Sequence, residues 1–117
     1  MIFPKQQRKR KRKKHKQSIL QDRTEGTCYL CVRLHNNYQL HRYREEHHVF
    51  GGQNRGISEA EGLKVYLCLD HHRNGSEAVH NNHENMLLLQ QDAQRIYEEK
   101  HTRQQFIEMI GRNYLED

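Results

Sequence analysis

The chain has 117 residues, 33% of them hydrophobic, with no tryptophan, a mean hydropathy of −1.20 and a formal charge of +5. That length allows one domain at most, and a core drawn from so few apolar residues is a weak source of stability by itself. No apolar run approaches the roughly 18 to 20 residues that span a bilayer, and the N-terminus lacks the apolar centre of a signal peptide; no membrane partner and a soluble, intracellular protein are expected.

Ten histidines and three cysteines suggest another source of stability, a structural metal that contributes folding free energy directly. An odd number of cysteines, two of them in a Cys-x-x-Cys pair, does not read as a disulfide framework and points to a reducing compartment.

The basic charge sits at one end. Residues 1–23 carry ten lysines and arginines against the single acid Asp22, a formal +9, whereas residues 24–117 carry the other ten against 14 acids, a formal −4. The run "KQQRKRKRKKHKQ" has no hydrophobic periodicity and repels itself, so residues 1–23 are expected to form a disordered basic arm. Its partner would be a polyanion. Arg8, Lys9, Arg10, Lys11, Arg12, Lys13 and Lys14 are candidate phosphate contacts, because each neutralised phosphate releases counterions. A solubilising leader and a nuclear-import address are the alternative readings of the same run.

A folded domain is expected over 24–117. In chain order it offers the Cys-x-x-Cys turn at Cys28 and Cys31, an Asn-Asn turn, and a strand-like alternation from Tyr38 to Phe50. "GGQNRGISEAEG" reads as a Gly-rich connection, "LKVYLCL" (63–69) as a half-buried strand, and "HHRNGSEAVHNN" as a polar loop. From Asn82 to about Lys100 the spacing predicts a helix with Met86, Leu89, Ala93, Ile96 and Tyr97 on one face. A second helix should follow: Thr102 and Gln105 match a capping box, Phe106, Ile107 and Ile110 supply an apolar face, and Gly111 stands where a helix would end.

Two residues between thiolates allow both to reach one tetrahedral zinc, which makes Cys28 and Cys31 half of a ligand set. Cys68 and His71 repeat the spacing directly after a strand and would complete a Cys3His structural site. The competing reading is unpaired core thiols or a redox pair. His47, His48, His72, His80 and His83 are then left over in polar, Gly-rich surroundings, and several could converge on a second cation. Neighbouring strand residues point to opposite faces, so His47 and His48 should not share one metal; one can bind while the other does chemistry.

The order "HH…GG…LC-x-x-HH…H" resembles the HNH endonucleases, the ββα-metal class in which two antiparallel strands and a helix grip one divalent cation. The match covers about residues 24 to 90 and is also similar to the phage recombination-enhancement nucleases, which pair such a domain with a basic arm. The resemblance implies an α+β fold, a small zinc-braced ββα-metal domain with C-terminal helices. It further implies that His47 binds the catalytic cation and His48 is the general base. His72 falls on the family's metal histidine, with His80, or else His83, as third ligand.

The implied chemistry is metal-assisted phosphodiester hydrolysis, most simply DNA nicking, with Mg2+, Mn2+, Ni2+ or Zn2+ as catalytic cation beside the structural zinc. A neutral imidazole with a pKa near 6.5 suits proton abstraction from water at neutral pH. Arg44, Arg55 and Arg73 flank the ligands as candidate phosphate clamps. Expected partners are DNA and a recombinase or other phage DNA-processing protein, in the cytoplasm of a bacterial host. The sequence departs from the family where an asparagine normally braces the loop between the strands, a task that could fall to Asn54. A non-catalytic zinc module that binds nucleic acid, and a zinc-dependent RNA-processing factor, are the rival readings.

Overall fold

The computed structural model describes residues 15–115, so the expected phosphate contacts from Arg8 to Lys14 lie outside the described residues. The fold is a small mixed α+β unit built on a two-stranded antiparallel sheet. Helix α1 (Tyr29–His35) leads to strand β1 (Glu45–His48), helix α2 (Arg55–Glu61) and strand β2 (Lys64–Leu67); a π-helical turn over Asp70–Asn74 then precedes α3 (His83–Tyr97) and α4 (Arg103–Ile110). The pairing register is Glu45 with Leu67, Glu46 with Tyr66, His47 with Val65 and His48 with Lys64.

The two C-terminal helices form where the sequence places them. Asn82 caps α3, its side chain accepting from the Asn85 N–H. Thr102 and Gln105 make the reciprocal capping box of α4, and Gly111 closes it at φ +94°. Leu89, Ala93 and Tyr97 of α3 are buried with Phe106 and Ile110 of α4, while Met86 is only partly buried. Phe106 meets Phe50 edge to face at 5.6 Å, which joins the helical pair to the end of β1. Buried Asp92 ties α1 to α3 by accepting from Tyr29 Oη at 2.8 Å and Arg33 Nε at 3.0 Å.

Four local expectations are corrected. The strand expected from Tyr38 to Phe50 shrinks to Glu45–His48, because β2 is only four residues long and offers no further ladder; Leu40 instead bridges to Thr27. The Cys-x-x-Cys turn is the start of α1, with Cys28 as its N-cap residue. The Gly-rich connection contains α2, held down by the fully buried Ser58, whose hydroxyl donates to the Phe50 carbonyl and accepts from the Phe50 N–H. The loop after Cys68 opens with the π-helical turn.

Strand β2 is not half-buried. All four of its residues are buried, since β1 covers one edge and residues 18–21 the other. Ser18 Oγ donates to the Lys64 carbonyl, and Gln21 Oε1 accepts from the Tyr66 N–H. Residues 15–21 therefore pack against α2 and β2. Gly62 makes this docking possible: it sits at φ +72°, and a Cβ there would lie 2.3 Å from the Gln17 carbonyl oxygen.

Candidate metal centres

Cys28 and Cys31, from the start of α1, meet Cys68 and His71, from the end of β2 and the π-helical turn, in one buried cluster. His71 Nδ1 lies 3.5 Å from Cys28 Sγ, 3.3 Å from Cys31 Sγ and 3.4 Å from Cys68 Sγ, and the Cys31 and Cys68 sulfurs are 3.9 Å apart. A tetrahedral zinc with bonds of about 2.3 Å to sulfur and about 2.0 Å to nitrogen has edges of roughly 3.8 Å and 3.5 Å. The cluster could hold a metal ion such as zinc. Burial, followed by the neighbouring Cys28 thiol, pushes the Cys31 thiol well above the usual range; Cys68 is raised as well, chiefly by burial. A bound cation would reverse that balance.

Behind His71 stands a carboxylate. Glu77 Oε1 lies 3.3 Å from His71 Nε2 and 2.7 Å from His35 Nε2, and hydrogen bonds from His35 and then His71 lower its pKa. Accepting a hydrogen bond from Nε2–H is how a carboxylate fixes the tautomer whose Nδ1 lone pair faces a metal. The turn that carries His71 closes tightly, with the Gly75 N–H donating to the Asp70 carbonyl at 2.9 Å. A Cβ on Gly75 would sit 2.5 Å from that same oxygen.

The second cluster is made of imidazoles only. His47 on β1, His72 on the π-helical turn and His80 before α3 each offer a ring nitrogen, all within 4.8 Å of one another. His72 Nε2 and His80 Nε2 are 3.2 Å apart. Among the described residues His47 Nε2 is buried with no hydrogen-bond partner. Burial, then the neighbouring His72 and His80, takes the His47 pKa down to about 3, and His80 is lowered too, chiefly by burial. An orphaned nitrogen held neutral and grouped with two other imidazoles fits a divalent cation.

This cluster also has its carboxylate. Glu45 Oε1 lies 2.8 Å from His72 Nδ1, and the same side chain takes Arg73 and, at 3.0 Å, the Tyr43 hydroxyl. Hydrogen bonding from His72, then Arg73 and Tyr43, lowers its pKa to about 2. Unlike the thiol cluster, the imidazoles open onto a cavity of about 410 Å³ lined also by Arg55, Gly51, Gly52 and Gln90.

Along β1, Glu45 and His47 meet His72, whereas Glu46 and His48 approach each other and meet Lys64 and Glu59 respectively, while both also line the cavity. His48 Nε2 lies 2.8 Å from Glu59 Oε1, and Glu59 is held in turn by Lys64 Nζ at 2.8 Å. Those contacts, Lys64 first and then His48, lower the Glu59 pKa. His48 also contributes to the cavity rim.

The expected ligand sets thus come together, with His80 rather than His83 in the imidazole cluster; His83 is exposed at the first position of α3. The three arginines divide. Arg55 lines the cavity with no carboxylate partner among the described residues. Arg73 donates to Glu45 through its guanidinium, beside His72 on the same carboxylate. Arg44 donates to the carbonyls of Thr27 and Arg23, a structural task. Asn54 donates to the Ile110 carbonyl at 3.1 Å, bracing the inter-strand loop on the end of α4. Sequence reasoning missed Glu45, Glu59 and Glu77; the "EE" before "HH" was the one signal available for Glu45.

No family model, no curated protein and no solved structure matches the chain.

Proposed function

We propose that the protein is a metal-dependent endonuclease of the ββα-metal kind that hydrolyses phosphodiester bonds in DNA. The observation that carries this reading is the orphaned His47 Nε2, buried and facing His72 and His80 at an open cavity. In this reading His47, His72 and His80 hold a divalent cation, and the four residues around His71 hold zinc. The bound cation would supply Lewis-acid stabilisation of charge developing on the phosphate oxygens.

The chain's own groups do the rest. Glu45 accepts from His72 Nδ1–H and leaves Nε2 as the lone pair turned to the cluster. Glu59 accepts from His48 Nε2–H, so Nδ1 of His48 is the atom left to take a proton from the attacking water. His47, with its pKa near 3, stays neutral and cannot be the donor or acceptor that titrates near neutrality. Arg55, which lines the cavity and has no carboxylate partner among the described residues, would hold a phosphate oxygen.

A plasmid-nicking assay across Mg2+, Mn2+, Ni2+ and Zn2+ tests the reading. Wild type is expected to nick with at least one added cation, His48→Ala to lose about 10² to 10⁴ in rate while keeping the cation, and His72→Ala to lose the cation itself. A folded, zinc-loaded wild type that binds DNA but never nicks it would make the protein a non-catalytic zinc module.

A further inference from the structure

Among the described residues the large apolar side chains left exposed are Tyr38 (63%), Leu40 (71%), Tyr43 (59%) and Leu69 (37%). Three of the four lie within six residues of each other, alternating with Gln39, His41 and Arg42. The catalytic reading has no use for Tyr38, Leu40 or Arg42.

The segment is anchored although its side chains are not. The His41 N–H donates to the Gly26 carbonyl at 3.0 Å, Leu40 bridges to Thr27, and the Arg44 guanidinium binds two carbonyls and lies over the Tyr66 ring at 5.1 Å. An anchored backbone with exposed rings is pre-organised, so little ordering cost falls on whatever covers it. Charge points to the occupant: Arg23 and Arg42 have no carboxylate partner among the described residues and share a polar cavity of about 340 Å³ with His41, Arg44, Glu46 and Tyr66. Tyr43 connects this surface to the imidazole cluster, since its hydroxyl donates to Glu45, the carboxylate that accepts from His72.

We propose that residues 38–44 form a stacking platform for an unpaired stretch of nucleic acid, with Tyr38 and Tyr43 taking bases on their faces and Arg23 and Arg42 taking phosphates. In an intact duplex the base faces are occupied by their neighbours; only a single strand, a bubble or a flap offers them to a protein ring. The proposal deepens the nuclease reading and rests on it for the nature of the ligand, because it says which form of DNA reaches the cluster through Glu45.

The test is fluorescence anisotropy of the full, zinc-loaded chain with a labelled 12-nucleotide DNA single strand and its duplex, no second cation being added. Tyr38→Ala and Tyr43→Ala are each expected to weaken single-strand binding roughly 5- to 100-fold and duplex binding hardly at all, whereas Tyr38→Phe and Tyr43→Phe should bind the single strand like wild type. Arg42→Gln should lower the salt slope for the single strand by about 0.7. Folding of each variant is read from circular dichroism and zinc content. Alanine variants that bind the single strand like wild type, or phenylalanine variants as weak as alanine, overturn the platform. Cleavage by wild type together with the former result would leave the nuclease standing without it. Tyrosine-dependent single-strand binding with no cleavage under any cation supports the platform and removes the nuclease.

Discussion

Two neighbouring residues, His71 and His72, serve two clusters of opposite character. The one around His71 is closed: four soft or borderline donors, all buried, with ligand atoms within 4.8 Å of one another and a carboxylate on the far nitrogen. The one around His72 is open: three imidazoles, one of them buried and orphaned, at the wall of a cavity. Four donors without a gap leave a metal nothing to react with, whereas three donors beside a cavity leave it positions for water and substrate. In each, the histidine is backed by its own glutamate, Glu77 or Glu45. The contrast lies in donors and access, while the way the imidazole is held is shared.

The largest expected effect separates the clusters by folding. Cys68→Ser, or removal of zinc by a strong chelator, should abolish cooperative unfolding, since structural zinc in small domains contributes about 10 to 16 kcal/mol of apparent binding free energy at pH 7. His72→Ala should leave a folded protein. Thermal melts of both variants with metal analysis decide this, and equal loss of structure in the two would erase the distinction between closed and open sites.

A smaller effect sharpens it. Glu77→Gln should lower zinc affinity about 10- to 100-fold with no change at the second site, and Glu45→Gln should do the same for the second cation alone. Competition titrations with a chromophoric chelator resolve the two affinities. If Glu45→Gln weakens zinc as much as Glu77→Gln does, the two histidines are not independently held.

The smallest effect concerns protons. A histidine whose folded pKa is about 3 binds a proton more readily unfolded, near 6.5, so its stabilising contribution is present above that value and is lost as pH falls toward 3. Between pH 7 and 5.5 this should cost about 1 kcal/mol. Urea melts of zinc-loaded wild type against His47→Gln should converge by that amount as the pH drops. Parallel curves would mean that His47 is not buried in its neutral form.

Much of this was legible in the sequence because the signals were local or covalently spaced. The Cys-x-x-Cys pair, the repeated spacing at Cys68 and His71, and the capping box of Thr102 and Gln105 each act over a few residues, and the structure keeps all of them. Helix α2 was hidden because it holds a glycine at 56 and draws its stability from Ser58 bonding to Phe50, a contact no periodicity records. The burial of β2 depends on residues 18–21, whose neighbours in sequence are a run of cations. Glu45, Glu59 and Glu77 reach their histidines across 27, 11 and 6 positions, and nothing about an acidic residue announces such a partner in advance.

The turn over Asp70–Asn74 carries a lesson for anyone redesigning or transplanting this unit. Because adjacent residues feed separate clusters, no length variation fits between them, and Gly75 holds the turn shut against the Asp70 carbonyl. Residues 68–80 therefore travel as a single cassette, since they carry Cys68 and His71 of one cluster and His72 and His80 of the other.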